Sequence, residues 1–231
     1  MTPLSKNARI AGFLYILASA VGIVRLLYIP KVLFVQGDAT ATAGNIAAHE
    51  SLFRLGMACY LIGGVIWLFV PLALYRLLKD VDRGLAVLMV ILGSLMQVPA
   101  YIVNTATDAV ALLLARGGEF LTVFDKAQRE ALAMVFLRLH HHIDVADIVF
   151  AGLWLLPFGL LVYRSRFLPR LLGVWLMLAC FAWVAFCLTG LLFPGYEDKV
   201  FNYGQIFSLG EVATMLWLVI VGAREPSTAA G

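Results

Sequence analysis

Charged side chains are scarce in this sequence, and they form no basic cluster. Of the 231 residues, 13% are Asp, Glu, Lys or Arg, whereas a soluble domain carries about 25%. The net charge is only +3, and no run of basic residues interleaved with aromatic ones is present. The composition therefore argues against a soluble globular fold and against a nucleic-acid partner.

Motifs for covalent chemistry are also few. There are three cysteines, and Cys180 and Cys187 lie about 10 Å apart along a predicted helix, too far to form a disulfide. The Gly117–Gly118 pair lacks the Lys-Ser/Thr partner of a phosphate-binding loop. There is no nucleophile elbow either. The sequence therefore contains no motif that identifies a covalent reaction.

Long apolar runs are what the sequence has in abundance, since 62% of its residues are hydrophobic. A run of about 20 apolar residues is long enough to cross the hydrocarbon core of a bilayer as a helix. We therefore predict an all-α fold, an integral membrane bundle of six transmembrane helices that forms a single transmembrane domain over residues 1–231. The predicted spans are about 9–29, 52–78, 85–115, 130–163, 171–193 and 203–222.

The distribution of basic residues predicts the orientation of these spans. Six spans place both termini on one side, which then carries nine Lys and Arg residues against five on the other. Positive charge is enriched on the cytoplasmic side of plasma-membrane proteins, so we expect both termini in the cytoplasm and a plasma (inner) membrane location. Ala18-Ser19-Ala20 resembles a signal-peptidase site, but the apolar run continues to Ile29, which favours an uncleaved first span over a signal peptide.

Two local signals predict where helices begin outside the spans. Asp38 is a candidate N-cap for a short Ala/Thr-rich helix that runs toward Glu50. Asp125 and Gln128 have capping-box spacing and start a helix that can continue to Tyr163. At about 1.5 Å per residue such a helix is longer than the bilayer core, so its first turns should project beyond the membrane.

Polar residues recur inside the spans, mainly toward the predicted outer side. In the third span Ser94, Gln97, Tyr101, Asn104 and Asp108 recur every three or four residues and therefore share one helical face, with Pro99 expected to kink the helix. Ionisable groups in hydrocarbon are costly and usually mark a functional path. We predict an outward-facing polar pocket that binds a small molecule, a lipid headgroup or a proton. Its candidate ligand-binding residues are Glu211, Asp147, Gln97, Asn104, Asp108, Arg54, Glu50 and Arg138.

Residues 138–147 (RLHHHIDVAD) hold the densest ionisable cluster. His140, Asp144 and Asp147 have helical metal-ligand spacing and chemistry suited to zinc or iron, while Arg138 and His142 should point to roughly the opposite face. A divalent metal there would activate water, with Glu211 as a further ligand or a general base. A metal-dependent membrane hydrolase is thus one alternative, and a structural or sensory membrane subunit is another. Whether the protein is an enzyme stays open.

Five stretches together resemble a bacterial family of multi-pass membrane proteins, domain of unknown function 4386. They are residues 8–15 (ARIAGFLY), 50–56 (ESLFRLG), 137–140 (LRLH), 163–173 (YRSRFLPRLLG) and 192–196 (LFPGY). The resemblance covers nearly the whole chain and implies several spans in a bacterial inner membrane, with no known reaction. It is compatible with a shared polar site at His140, Glu50, Arg54 and Glu211. His141, His142, Asp144 and Asp147 replace the small and apolar residues of the family pattern, so the resemblance does not extend to a metal site.

Overall fold

A computed structural model describes residues 2–224, and within that range every regular element is helical. Six helices there are long and apolar enough to cross a membrane, which confirms the predicted all-α fold with six membrane-spanning helices. A shorter helix lies between the first two of them. In chain order the helices are α1 (Pro3–Leu33), α2 (Ala39–Ala48), α3 (Glu50–Leu78), α4 (Arg83–Arg116), α5 (Lys126–Arg164), α6 (Arg170–Leu192) and α7 (Glu197–Ile220).

Most helices extend beyond the predicted spans. The first begins at Pro3 rather than near residue 9, and the last begins at Glu197 rather than near 203. Hydropathy marks the apolar part of a helix, whereas the backbone hydrogen-bond ladder continues into the polar flank. The orientation of the termini stays a prediction.

Both predicted helix starts are confirmed. The Asp38 carboxylate accepts a hydrogen bond from the Ala41 N–H at 2.8 Å and caps α2. At the start of α5, the Gln128 N–H donates to Asp125 Oδ1 at 2.8 Å, and the Asp125 N–H donates to Gln128 Oε1 at 3.0 Å. This reciprocal pair is a complete capping box.

Irregular turns precede three of the prolines. A π-helical turn, Val24–Tyr28, lies just before Pro30, and the Ile29 N–H bonds to the Val24 carbonyl five residues back. The same association recurs at the π turn Ile91–Leu95 before Pro99 and at Trp154, the break in α5 before Pro157. Proline lacks an N–H and its ring displaces the carbonyl four residues earlier, so the preceding turn rearranges.

Packing divides the chain into two compact units. Unit 1 comprises Met1–Leu17, Ile66–Val98 and Val145–Gly231, and unit 2 comprises Ala18–Val65 and Pro99–Asp144. Both units draw on α1, α3, α4 and α5. The single transmembrane domain expected from sequence stays a prediction.

The core of unit 1 contains a close contact between α5 and α6. A Cβ atom on Gly159 would lie only 2.7 Å from the Gly173 carbonyl oxygen, so glycine allows the two backbones to touch. Trp154 and Phe158 stack nearby with ring centroids 5.3 Å apart. Tyr15 of α1 packs against Trp154 as well, with centroids 5.8 Å apart.

The core of unit 2 is a cluster of buried apolar side chains from α1 to α5. The cluster packs five helices against one another within this unit. Its members are Ile29, Leu33, Ile46, Phe53, Ala111, Leu112 and Leu137.

Candidate functional site

A buried ion pair between Arg25 and Asp108 lies at the centre of the polar residues in unit 2. Arg25 Nε donates to Asp108 Oδ2 at 3.0 Å, and Arg25 Nη2 donates to Asp108 Oδ1 at 2.9 Å. The arginine is 5% exposed and the aspartate 0%. Two parallel charge-assisted hydrogen bonds of this kind fix the relative orientation of both groups, which explains how Arg25 is accommodated within an apolar helix.

His140 extends this pair into a chain of ionisable groups. Its Nδ1 lies 3.0 Å from Asp108 Oδ1, and its Nε2 lies 3.2 Å from Asp144 Oδ2. Arg25 Nη2 is also 3.3 Å from Nδ1. The imidazole therefore joins two carboxylates, and a proton on either ring nitrogen faces a carboxylate oxygen.

Asp144 is held by neutral donors on its other side. The Tyr60 hydroxyl donates to Asp144 Oδ1 at 2.8 Å, and Asn104 Nδ2 donates to the same oxygen at 2.5 Å. Tyr60 in turn packs on Tyr101 with ring centroids 4.8 Å apart. We call Arg25, Tyr60, Asn104, Asp108, His140 and Asp144 the unit 2 network.

A cavity of about 580 Å³ adjoins the unit 2 network. Arg25, Tyr60, His140 and Asp144 form part of its wall, while Asn104 and Asp108 are buried behind them. The rest of the wall comes from the end of α1, the turn after it and the early part of α5. Those residues are Leu26, Pro30, Phe34, Val35, Gln36, Gly37, Met134, Leu137, Arg138 and His141.

Arg138 lies on the wall of this cavity together with His140 and Asp144. The helical-wheel expectation placed it on the opposite face, but a wheel positions only the Cβ atom and a long arginine side chain reaches well beyond it. Its side chain is exposed, and it makes no hydrogen bond or ion pair with the described side chains. Arg138 thus adds to the cavity wall a positive charge that is in contact with no described carboxylate.

Two other predicted ligand-binding residues of unit 2, Glu50 and Arg54, pair with each other. Arg54 Nε lies 2.7 Å from Glu50 Oε1, and Arg116 Nε lies 3.0 Å from Glu50 Oε2. The arginine side chains are about half exposed, so this is a surface ion-pair group of small energetic weight. It does not contribute to the cavity wall.

The remaining predicted residues belong to unit 1. Glu211 accepts hydrogen bonds from the Tyr15 hydroxyl and from Trp183 Nε1, the latter at 2.8 Å. Gln97 is buried and donates to the Leu92 carbonyl inside the irregular segment of α4 at 3.1 Å. Asp147 is half-buried. A single pocket that joins Glu211, Gln97 and Asp147 to the residues of unit 2 stays a prediction.

The metal site proposed for His140, Asp144 and Asp147 also rests on spacing alone. Within the described part of the chain, no group of three or more His, Cys, Asp or Glu side chains has an arrangement that could hold a metal ion. His140 instead has Asp108 of α4 and Asp144 as its carboxylate neighbours. The predicted ligand spacing along α5 therefore coincides with a hydrogen-bonded network.

Sequence reasoning missed Arg25 and Tyr60 as site residues. A signal for Arg25 existed, because it lies seven residues after Ala18 and four before Ile29, both buried, on the inward stripe of α1. Tyr60 lies seven residues after the buried Phe53 of α3, but nothing in its neighbourhood distinguishes it from an interfacial anchor.

The fold and the buried network define a class, that of multi-pass membrane proteins with polar groups enclosed between their helices. Within that class the chain belongs to the family described as Domain of unknown function (DUF4386), which matches residues 10–222. The resemblance found in the sequence is thereby confirmed.

One similar protein comes from an archaeon. A protein of Archaeoglobus fulgidus, described as an uncharacterized protein, is 30% identical over 186 residues, covering 78% of this chain and 94% of the relative. That relative is archaeal, so the bacterial origin implied by the resemblance stays a prediction. No solved structure matches the chain.

Proposed function

We propose that the protein is a ligand-binding membrane protein whose binding site is the cavity of unit 2. The observation that carries this proposal is that a buried chain of ionisable groups forms part of the wall of a cavity of about 580 Å³. Small-molecule sites have volumes of about 300–1,000 Å³ and combine apolar walls with a few fixed polar groups.

The energetic cost of the network supports a functional role. Charged groups removed from water are only partly compensated by pairing, and apolar residues of similar volume hold helices together equally well. Ionisable residues within membrane helices therefore tend to mark a binding or transport site. A network that only held the helices together would not require an open cavity of this size beside its ionisable residues.

The position of the cavity supports an outward-facing site. Its wall includes the end of α1 and the turn at Phe34–Gly37, and the excess of basic residues on the side of the termini predicts that α1 begins in the cytoplasm. Its far end then lies at the outer surface of the plasma (inner) membrane. We accordingly assign the cavity to the outer leaflet.

Filling the cavity tests the binding function. We expect wild-type protein released from detergent micelles to retain one small molecule per chain in native mass spectrometry, and Met134→Trp to lose it, because the indole occupies the space. Val135→Trp is the matched control, since Val135 is 57% exposed and does not line the cavity. Identical spectra for all three proteins would leave the network with a structural role only.

The bridging position of His140 supports proton relay as a second function. Either ring nitrogen can pass a proton to a carboxylate, and Nδ1 can alternatively accept from Arg25. In liposomes with an internal pH-sensitive dye, an imposed pH gradient should collapse faster with wild-type protein than with His140→Gln. His49→Gln, which alters an exposed histidine, is the control. Proton flux equal to that of empty liposomes would eliminate this second function.

A further inference from the structure

We infer that the ligand of the unit 2 cavity is an anionic amphiphile, with its acidic headgroup bound by Arg138 and its apolar chain lying along Pro30, Phe34, Met134 and Leu137. This inference rests on the proposed function, because it assigns a chemical class to the ligand of the same cavity.

One charged group on the cavity wall is available to bind an anion. Arg25 is neutralised by Asp108 through two hydrogen bonds. Asp144 already accepts from Tyr60 and Asn104 and also contacts His140. Among these wall charges, Arg138 alone makes no hydrogen bond or ion pair with a side chain that the structure describes. A guanidinium group without a carboxylate partner is well suited to bind a phosphate or carboxylate in a bidentate manner.

A histidine lies beside Arg138 on the cavity wall. His141 follows it by three residues on α5, so the two side chains are neighbours on the helix surface, and both line the cavity. The imidazole thus places a further polar group next to the guanidinium group on the cavity wall.

The apolar part of the wall selects a ligand with an apolar body. Leu26, Pro30, Phe34, Val35, Met134 and Leu137 contribute to it. A cavity of about 580 Å³ is far larger than a single inorganic anion requires, and an inorganic anion would leave these side chains uncovered. A chain of methylene groups would cover them and bind more tightly with each group buried.

The location of Leu26 indicates how such a ligand enters. Leu26 lines the cavity and is 66% exposed, and its neighbours Leu27 and Tyr28 are 61% and 53% exposed. In a membrane these exposed side chains contact lipid. The π turn Val24–Tyr28 therefore presents a buried Arg25 on one side and lipid-facing residues on the other, so the cavity borders the acyl chains of the bilayer.

Binding of defined lipids tests the inference. Protein in a nonionic detergent is titrated with phosphatidylglycerol, phosphatidylcholine, sodium oleate, glycerol 3-phosphate or sodium phosphate, and bound molecules are counted by native mass spectrometry. We expect phosphatidylglycerol to bind one per chain and at least about tenfold more tightly than phosphatidylcholine. Arg138→Gln should abolish that preference, while Arg138→Lys should retain part of it. Elution of Arg138→Lys at the wild-type volume in size-exclusion chromatography shows that the fold tolerates substitution at this position.

A matched control separates this site from general attraction to anionic lipid. Lys31→Gln removes the same charge from an exposed position near the end of α1 that does not line the cavity. It should leave the phosphatidylglycerol preference intact. An equal loss in Lys31→Gln and Arg138→Gln would overturn the inference.

The soluble anions and oleate test whether the ligand needs an apolar chain as well as an anionic group. Displacement of phosphatidylglycerol by oleate supports an anionic amphiphile with either a phosphate or a carboxylate headgroup. If oleate binds more tightly than phosphatidylglycerol, the ligand is a fatty acid. Displacement by sodium phosphate or glycerol 3-phosphate at equal concentration would show an anion site without a chain, and would overturn the inference.

Failure of the inference is distinguishable from failure of the proposed function. If Met134→Trp loses a bound molecule that Arg138→Gln still retains, the cavity binds a ligand but not through an anionic group. If neither substitution alters the bound molecules, both the ligand class and the binding function are wrong.

Discussion

Arg25 carries a positive charge at a position in α1 where neighbouring residues of the same stripe, Ala18 and Ile29, are buried. Such a charge is tolerated only because Asp108 lies 2.9 Å away and balances it. The pair differs from the exposed pair of Arg54 and Glu50, whose members also have access to water. Burial should therefore make the two pairs respond very differently to the loss of one partner.

Asp108→Leu should lower the free energy of unfolding by about 3–5 kcal/mol, because it leaves the Arg25 charge buried without compensation. The double variant Arg25→Met with Asp108→Leu should recover most of that loss, since no charge is then stranded. Chemical unfolding in mixed micelles measures both. Glu50→Ala is the control and should cost less than about 1 kcal/mol; a double variant as unstable as the single one would contradict the prediction.

Glu211 in unit 1 differs from these acids because its described donors are neutral, the Tyr15 hydroxyl and the Trp183 indole. Glu211→Gln keeps an acceptor oxygen for the Trp183 N–H and replaces the other oxygen with an amide NH2, from which the Tyr15 hydroxyl oxygen can accept. It should therefore change the free energy of unfolding by less than about 1 kcal/mol. Glu211→Leu leaves both donors without an acceptor and should cost about 1–3 kcal/mol for each. Unfolding of the two variants beside Glu119→Gln, an exposed control, measures the difference. Equal stability of Gln and Leu at this position would refute the hydrogen-bond account.

At the scale of elements, irregular turns hold polar side chains in both units. In unit 2 the π turn of α1 contains Arg25, and in unit 1 Gln97 bonds into the irregular part of α4. These turns precede Pro30 and Pro99, whereas Pro71 lies within the continuous helix α3, so a proline position alone does not predict such a turn. In α3, Gly64 leaves room for the Tyr101 ring of α4, since a Cβ on Gly64 would lie 2.7 Å from Tyr101 Cγ.

Gly64→Ala should lower stability by about 1–3 kcal/mol, because the added methyl forces the Tyr101 ring to move. That ring packs on Tyr60, which donates to Asp144, so ligand retention should fall as well. Gly44→Ala in α2 is the matched control. Nothing lies within 4 Å of its added Cβ, and helix propensity should make it neutral or stabilising by up to about 1 kcal/mol. If both substitutions had the same effect, the contact with Tyr101 would have no energetic role.

The capping box at the start of α5 should have a local effect. Asp125→Ala removes the acceptor of the Gln128 N–H and should cost about 1 kcal/mol. Hydrogen exchange should accelerate in the first turn of α5 while exchange near His140 stays slow. Acceleration along the whole helix would show that this end of α5 is not independently stable.

The sequence signals that succeeded are short-range ones. Asp125 with Gln128 and Asp38 with Ala41 act within one turn, and helices of the predicted type follow each of them. The site depends on pairs far apart in the chain, such as Arg25 with Asp108 and Tyr60 with Asp144. Periodicity identifies the inward face of a helix but not the helix against which that face packs. The sequence therefore indicates polar residues toward the outer side of the spans, but not which of their side chains contact each other.

At the scale of the whole molecule, the membrane determines how the polar residues are distributed. Apolar runs account for six spans, and hydropathy predicts their number because any uncompensated polar backbone in lipid is costly. Hydropathy does not indicate, however, which end of a span faces the cytoplasm. The orientation predicted here comes from basic residues such as Arg164, Arg166 and Arg170 in the turn between α5 and α6, on the same side as the termini.

Reporter fusions test that orientation. With both termini in the cytoplasm, a green fluorescent protein fused to the C terminus should fluoresce in a bacterial host, whereas alkaline phosphatase at the same position should be inactive. Alkaline phosphatase inserted at Gly118, in the turn between α4 and α5, should be active because that turn then lies outside. Reversed activities would place the unit 2 cavity, whose wall includes the end of α1, at the cytoplasmic surface. The lipid-binding inference would then apply to the inner leaflet.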